Sequence, residues 1–193
     1  MIYISLTFLQ VVFLCAGNMS FYEALIHAFG TAGTGGFSIK ADSMAGYSMG
    51  IQATITVFMI LFGINFNVYF LFLSGKFIEG LKCEEIRAYL GVIAAAVLLI
   101  ALNIRSSFAT LFEAFHHAAF QVASIITTTG YATVDFDQWP ELSRVILVLI
   151  MFVGACAGST GGGIKVSRFM IMLKTIRKEL DCIIHPRTVK KIR

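Results

Sequence analysis

Charged residues are scarce in this sequence. Asp, Glu, Lys and Arg make up 13% of its 193 residues, whereas hydrophobic residues make up 58%. A soluble domain carries about a quarter charged residues, so this chain lacks the polar groups that would cover a surface in water. The deficit excludes an ordinary soluble domain and predicts an all-α integral membrane protein that crosses the lipid bilayer several times.

The chain also lacks the motifs of common enzyme and binding-site classes. Its four cysteines form no CxxC pair and have no His/Cys ligand spacing, so the sequence predicts neither a metal site nor a disulfide. The stretch 158–165 is not a phosphate-binding loop, because Ile164 stands between the last glycine and Lys165. Ser159 is not in a nucleophile elbow, because Ala157 replaces the first glycine of that motif. We therefore predict a chain that is not an enzyme and holds no cofactor.

Basic residues stand at the ends of apolar segments and are not interleaved with aromatic residues, which excludes nucleic-acid binding. The tail from Lys174 onward has an excess of Lys and Arg, and the loop 74–87 contains further basic residues. Cytoplasmic loops of membrane proteins are enriched in these residues. The sequence thus predicts that the C-terminus and this loop are cytoplasmic, and that the polar segments 39–49 and 133–143 lie outside.

One polar break in the apolar chain reads Thr-Thr-Thr-Gly-Tyr, at residues 127–131. Non-helical backbone at membrane depth is tolerated only where it is buried in protein or lines a watery cavity. One use of such backbone is a ring of carbonyl oxygens that replaces the hydration shell of an ion. Glycine permits the positive φ that lets neighbouring carbonyls point the same way. Taken alone, the stretch is equally compatible with an ordinary Thr/Gly loop.

Residues 34–38 repeat the pattern of residues 128–132. Both read Thr, small, Gly, aromatic, small, and both follow a Glu-Ala and a His-Ala pair that include His27 and His117. The first approach to the glycine is four residues shorter than the second. Such a repeat predicts one unit of apolar helix, short helix, loop and apolar helix, used more than once around a common axis. Packing or interface roles are predicted for His117 and the adjacent His116, since no third metal ligand is near.

Residues 51–73 are long enough to span a bilayer but are interrupted at 63–67. Asn65 and Asn67 would be costly if they faced lipid. They either pair in a helix–helix contact or belong to a locally unwound segment. We predict further spans at 89–102, starting nearer to Glu85, and at 145–173, the latter as one glycine-containing helix. The apolar segment 2–14 is shorter than the roughly 20 residues of a span, so we expect its beginning to be missing.

Four stretches together resemble the Trk/Ktr/HKT superfamily of potassium or sodium translocating membrane subunits, with the bacterial Trk/Ktr branch most similar. They are residues 27–38, 62–70, 127–133 and 158–168. The resemblance implies four helix–pore loop–helix repeats around one pore, of which this chain is the C-terminal half. Residues 1–80 would be the third repeat with a truncated outer helix. Residues 81–193 would be the fourth, with an outer helix, a pore loop, a glycine-rich inner helix and a basic cytoplasmic tail.

The resemblance also assigns roles to individual residues. It implies a K⁺ selectivity filter, binding the ion through backbone carbonyls only, at Thr34, Gly35, Gly36, Phe37, Thr128, Thr129, Gly130 and Tyr131. It implies an intramembrane gating loop at Gly63, Asn65 and Asn67. Arg168 resembles the pore-facing arginine that contacts this loop, and Lys165 is the less favoured candidate.

The implied function is K⁺ uptake across the bacterial plasma membrane. The implied partners are the bilayer, the missing N-terminal repeats or a second copy, and a cytoplasmic nucleotide-binding regulatory subunit, with a homodimer expected for the full protein. Two alternatives stay open: a truncated membrane module that assembles without conducting, and a Na⁺-permeable member of the same superfamily.

Overall fold

The structure, a computed structural model, describes residues 1–184, apart from the side chains of Phe77, Leu81, Cys182 and Ile184. The basic tail residues from Arg187 onward and the His185-Pro186 pair therefore lie outside the described residues. Within residues 1–184 the chain is helical and contains no strand, as predicted. Its helices are α1 (Ile2–Ala16), α2 (Phe21–Ala32), α3 (Met49–Phe62), α4 (Phe66–Leu73), α5 (Phe77–Leu81), α6 (Glu84–Ile104), α7 (Leu111–Ile126), α8 (Glu141–Val153) and α9 (Val166–Ile184).

The two short helices α2 and α7 begin with the same cap. The Ser20 hydroxyl accepts a hydrogen bond from the Glu23 amide, and the Thr110 hydroxyl accepts one from the Glu113 amide. Such side-chain acceptors satisfy amides that have no partner inside the helix. Helix α2 has 12 residues and α7 has 16. The difference is about one helical turn, and it accounts for the shorter first approach seen in the sequence.

Helix α7 lies at the centre of the molecule and packs against α3, α6 and α8. Its Val122 and Ile126 belong to a core formed with α6 and α8, whereas its Phe120 and Ala123 belong to a second core with α1, α2 and α3. A helix that is buried on most sides needs apolar residues around its circumference. Helix α7 thus contributes to both hydrophobic cores of the fold.

Many large apolar side chains are exposed on the surface, among them Phe8, Leu98 and Leu149. The segment Glu84–Ser107, which includes α6, is long and apolar enough to cross a membrane. Helices α3 and α4 pass the same test together, but they are bent by 91° at the break between them. Helix α1 is apolar and shorter. The interruption predicted near residue 63 is therefore a sharp bend.

The prediction of one continuous helix at 145–173 is wrong. Helix α8 ends at Val153 and α9 begins at Val166, and the intervening residues 154–165 are not helical. We call these twelve residues the glycine segment. Gly154 and Gly163 have φ values of +70° and +81°, and a Cβ on Gly163 would lie 2.8 Å from the Gly154 Cα atom. Positive φ and backbone-to-backbone packing both require glycine, so here the glycines form a compact loop.

Candidate functional site

The two filter-like loops, residues 33–38 (loop 1) and 127–132 (loop 2), have the same backbone conformation. Thr34 and Thr128, 94 positions apart in the sequence, have φ values of +50° and +58°. Gly36 and Gly130, separated by the same interval, have φ values of +65° and +89°. Left-handed φ is uncommon for threonine, so its recurrence at both positions identifies one local structure that is used twice.

The same hydrogen bonds hold both loops to the helices that precede them. In each loop two successive amides point back to one carbonyl near the end of the helix. The bonds run from Gly35 and Gly36 to Gly30 (2.8 and 3.4 Å), and from Thr129 and Gly130 to Ser124 (2.9 and 3.4 Å). The sequence pattern Thr, small, Gly therefore corresponds to a repeated backbone structure.

The loops lie against each other at Gly36. A Cβ on Gly36 would overlap the carbonyl oxygen of Thr129 and would lie 3.0 Å from the carbonyl carbon. A Cβ on Gly130 would meet nothing within 4 Å. Glycine is thus required at position 36 by both contact and φ, and at position 130 by φ alone.

The aromatic residues that follow the two glycines are in opposite environments. Tyr131 is fully buried, and its hydroxyl donates to the Phe37 carbonyl at 3.2 Å and lies 3.4 Å from the His27 carbonyl. Phe37 is 77% exposed. The close approach of the Tyr131 hydroxyl leaves no room for a Cβ on Gly30. Tyr131 therefore connects loop 2 to loop 1 by a hydrogen bond.

His27, fully buried, connects Tyr131 to Tyr47. Its Nδ1 atom lies 3.4 Å from the Tyr131 hydroxyl, and its Nε2 atom lies 3.1 Å from the Tyr47 hydroxyl. Because the Tyr131 hydroxyl donates to the Phe37 carbonyl, it accepts from Nδ1–H, and Nε2 is left to accept from Tyr47. We assign this tautomer from the hydrogen bonds. The sequence marked His27 as part of a repeat without revealing this role.

Two further histidines, His116 and His117 of α7, contact residues that follow the two loops in the sequence. The His116 Nε2 atom lies 2.9 Å from the Gln52 side-chain oxygen, and the Gln52 amide nitrogen donates to the Met44 carbonyl at 2.9 Å. The His117 Nδ1 atom lies 2.9 Å from the Thr133 hydroxyl. Both histidines thus have the packing role predicted for them. Gln52 is a residue that sequence reasoning missed, because its partners are distant in sequence.

The break between α3 and α4, residues 63–65, is joined to the glycine segment. The Cys156 amide donates to the Gly63 carbonyl at 3.1 Å, and the Phe66 amide donates to the Gly158 carbonyl at 3.2 Å. The Asn65 side-chain oxygen accepts from the Asn67 amide at 2.9 Å and so caps α4. Two separate interruptions of helical structure therefore satisfy each other's backbone groups.

The glycine segment also contacts both filter-like loops. The Gly162 amide donates to the Thr128 hydroxyl at 2.7 Å, and the Thr34 hydroxyl donates to the Thr160 carbonyl at 3.4 Å. A Cβ on Gly161 would lie 3.1 Å from the Thr127 carbonyl oxygen. The two loops, the break and the glycine segment, all of them irregular, thus meet at one place.

The expected contact between Arg168 and the break is absent. Arg168 is exposed on the first turn of α9, and in the described part of the chain it makes no hydrogen bond to Asn65 or Asn67. Lys165, the less favoured candidate, is half-buried and its Nζ atom donates to the Gly161 carbonyl. Arg168 follows the glycine segment closely, because α9 begins only at Val166, and its role in gating stays a prediction.

The chain is similar in sequence and in structure to potassium uptake proteins. Residues 109–193 match the TrkH family model, described as a cation transport protein. The Trk system potassium uptake protein TrkH of Escherichia coli K12 is 33% identical over 100% of this chain and 41% of its own length. The TrkH of Vibrio parahaemolyticus is 36% identical with the same coverage. The crystal structure of the potassium transporter TrkH from that organism superposes with a TM-score of 0.94 and 35% identity, over 100% of this chain and 42% of its own.

These matches confirm the predicted resemblance: the chain is related over its whole length to the C-terminal part of the Trk potassium uptake proteins. These relatives are membrane transport proteins and not enzymes. The chain spans about two fifths of the length of these relatives.

Proposed function

We propose that this chain forms half of a pore for potassium uptake. The observation that supports this most directly is the repeated conformation of loops 1 and 2, with left-handed φ at equivalent positions. Each loop follows a short helix, and the two loops touch at Gly36. Backbone carbonyls held in this way can replace the water around K⁺. Residues 34–37 and 128–131 would form two of the four sides of the filter.

The remaining sides of the pore would come from further repeats of a longer protein or from a second copy. In this proposal residues 1–80 and 81–193 are two helix–pore loop–helix repeats, and the C-terminus faces the cytoplasm of the bacterial cell. A homodimer and a cytoplasmic nucleotide-binding subunit complete the proposed assembly.

We place the gate where the glycine segment meets the break. Gly63, Asn65 and Asn67 belong to or adjoin that break, and Lys165, the last residue of the glycine segment, donates to the Gly161 carbonyl within it. Arg168 remains a gating candidate only in an arrangement in which α9 is turned relative to the one described here.

Growth of a bacterium that lacks its own K⁺ uptake tests the function. We compare rescue at low K⁺ by the longer protein and by this chain alone. Rescue by the longer protein supports the K⁺ pore, and rescue by the chain alone supports assembly of two copies. Rescue by neither, with both proteins present in the membrane, would favour a non-conducting module. Growth inhibition by Na⁺ together with Na⁺ uptake would favour the Na⁺-permeable alternative.

A further inference from the structure

Glu85, in the first turn of α6, holds the two interrupted segments together from a third element. One carboxylate oxygen (Oε1) accepts a hydrogen bond from the Ala157 amide at 2.6 Å, and the other (Oε2) accepts one from the Asn65 side-chain nitrogen at 3.4 Å. Ala157 lies in the glycine segment and Asn65 lies in the break. The side chain is half-buried. A single carboxylate therefore bridges two backbone segments that are 92 residues apart in sequence.

The bond from the Ala157 amide is short, at 2.6 Å, and the bond from Asn65 is longer, at 3.4 Å, and both have a physical basis. A carboxylate that has lost part of its water is stabilised by donors aimed at it. The amide of Ala157 stands outside any helix and needs an acceptor. The Asn65 amide group is fixed in orientation, because its oxygen already accepts from the Asn67 amide. Each donor in this cluster thus has an acceptor, and the direction of each hydrogen bond is fixed.

The residue next to Glu85 contacts the C-terminal helix. The Glu84 carboxylate lies 2.6 Å from the Lys174 Nζ atom of α9. The first turn of α6 therefore touches α9 through Glu84 and the two interrupted segments through Glu85. A displacement of α9 would therefore move the same helical turn that holds the glycine segment in contact with loops 1 and 2.

We propose that Glu85 is a positioning residue for the gate. It keeps the glycine segment and the break in the closely joined arrangement described here, and it couples their separation to movement of α9. This proposal rests on the proposed pore function. The glycine segment is hydrogen-bonded to Thr34 and Thr128. Its release would therefore change the proposed ion path next to both loops, while the loops keep their own hydrogen bonds to α2 and α7.

A reversal of hydrogen-bond polarity tests the proposal in the longer protein. In Glu85→Gln, an oxygen still accepts from the Ala157 amide, but an NH₂ group faces the Asn65 NH₂ group. In Asn65→Asp, two carboxylates face each other. The double variant restores one donor and one acceptor in reversed order, and the carboxylate introduced at position 65 still accepts from the Asn67 amide.

The measurement is Rb⁺ uptake into proteoliposomes of the longer protein without any added regulatory subunit, together with the K⁺/Na⁺ flux ratio. We expect each single variant to raise Rb⁺ uptake roughly tenfold, since a lost hydrogen bond to a charged group shifts a two-state equilibrium by that order. The double variant is expected to return close to the wild-type rate. The K⁺/Na⁺ ratio is expected to stay unchanged in all three.

Glu79→Gln is the matched control. Glu79, in α5, forms an exposed ion pair with Lys76 at 3.4 Å, just before α6 in the sequence. The control removes one nearby negative charge without touching the glycine segment or the break, and we expect no change in Rb⁺ uptake. A tenfold rise in this control would mean that local charge, and not the Glu85 bridge, determines the rate.

Several results would overturn the proposal. Equal rates in Asn65→Asp and the double variant would show that the pair does not act as a unit. A loss of K⁺/Na⁺ discrimination in the single variants would place Glu85 in the support of the filter. If Glu85→Gln does not accumulate, the comparison of Asn65→Asp with the double variant decides the question alone. Wild-type protein without Rb⁺ uptake would refute the pore function itself, which is a different outcome.

Discussion

Loops 1 and 2 have one backbone conformation and two different environments. Loop 2 is tied to its neighbour because the buried Tyr131 donates to the carbonyl of Phe37. Phe37, the equivalent residue of loop 1, is exposed. The difference shows that the motif itself specifies the φ pattern and the bonds to the preceding helix. The contacts that each loop makes with the rest of the fold depend on which element packs against it.

The two glycines should differ most clearly when substituted. We expect Gly36→Ser to weaken K⁺ over Na⁺ selectivity more than Gly130→Ser in the longer protein. Both changes place a side chain at positive φ, which costs about 1–3 kcal/mol, but only Gly36 also overlaps the Thr129 carbonyl. The K⁺/Na⁺ flux ratio measures the effect. Unchanged ratios in both variants would remove the filter assignment, and a larger effect at Gly130 would reverse the comparison.

The equivalent residues Gly30 and Ser124 give the next largest contrast. A methyl group on Gly30 would overlap the Tyr131 hydroxyl, so Gly30→Ala should displace Tyr131 although alanine favours a helix over glycine. Ser124→Ala removes only the hydrogen bond from the Ser124 hydroxyl to the Tyr131 carbonyl, at 2.6 Å, and should cost about 1 kcal/mol. Thermal unfolding of the purified protein in detergent compares them. A smaller drop in Tm for Gly30→Ala would show that Tyr131 adjusts without loss.

Lys165 and Arg168 lie where the glycine segment meets α9, and they should also differ when substituted. We expect Lys165→Ala to change Rb⁺ uptake several-fold, because it removes the bond to the Gly161 carbonyl beneath loop 2. Arg168→Ala should change it less than twofold, since the side chain is exposed and exposed charges away from such contacts contribute little. The test compares Rb⁺ uptake rates, each normalised to the amount of protein in the membrane. A larger effect of Arg168→Ala would restore the arginine latch predicted from the sequence.

The two aromatic residues that follow the glycines should also differ when substituted. Tyr131→Phe keeps the ring and removes the hydroxyl that bonds to Phe37 and adjoins His27. It should lower stability by about 1–2 kcal/mol, seen as a lower Tm. Phe37→Leu should leave the Tm of this chain nearly unchanged, because the ring is exposed. If Phe37→Leu were destabilising in the longer protein alone, that difference would indicate a neighbour that covers loop 1 there.

Much of the fold follows from local patterns. The two filter-like loops and the interruption near Gly63 were predictable, because each depends on residues within a few positions of one another. The continuous helix at 145–173 was predicted wrongly, since hydrophobic composition outweighed the helix-breaking effect of its glycines. The tight approach of Gly154 to Gly163 could not be read from composition.

The sequence by itself determined the membrane environment, the helical class and the repeated Thr-x-Gly loop. Scarce charge, apolar length and residues that tolerate or require positive φ are properties of short stretches. Only the tertiary structure decided that Tyr131 fastens one loop to the other, that His27 links two tyrosines, and that Glu85 joins the break to the glycine segment. These contacts connect residues between 20 and 104 positions apart. Which distant groups meet depends on how the helices pack, and a buried polar group takes the partner that packing provides.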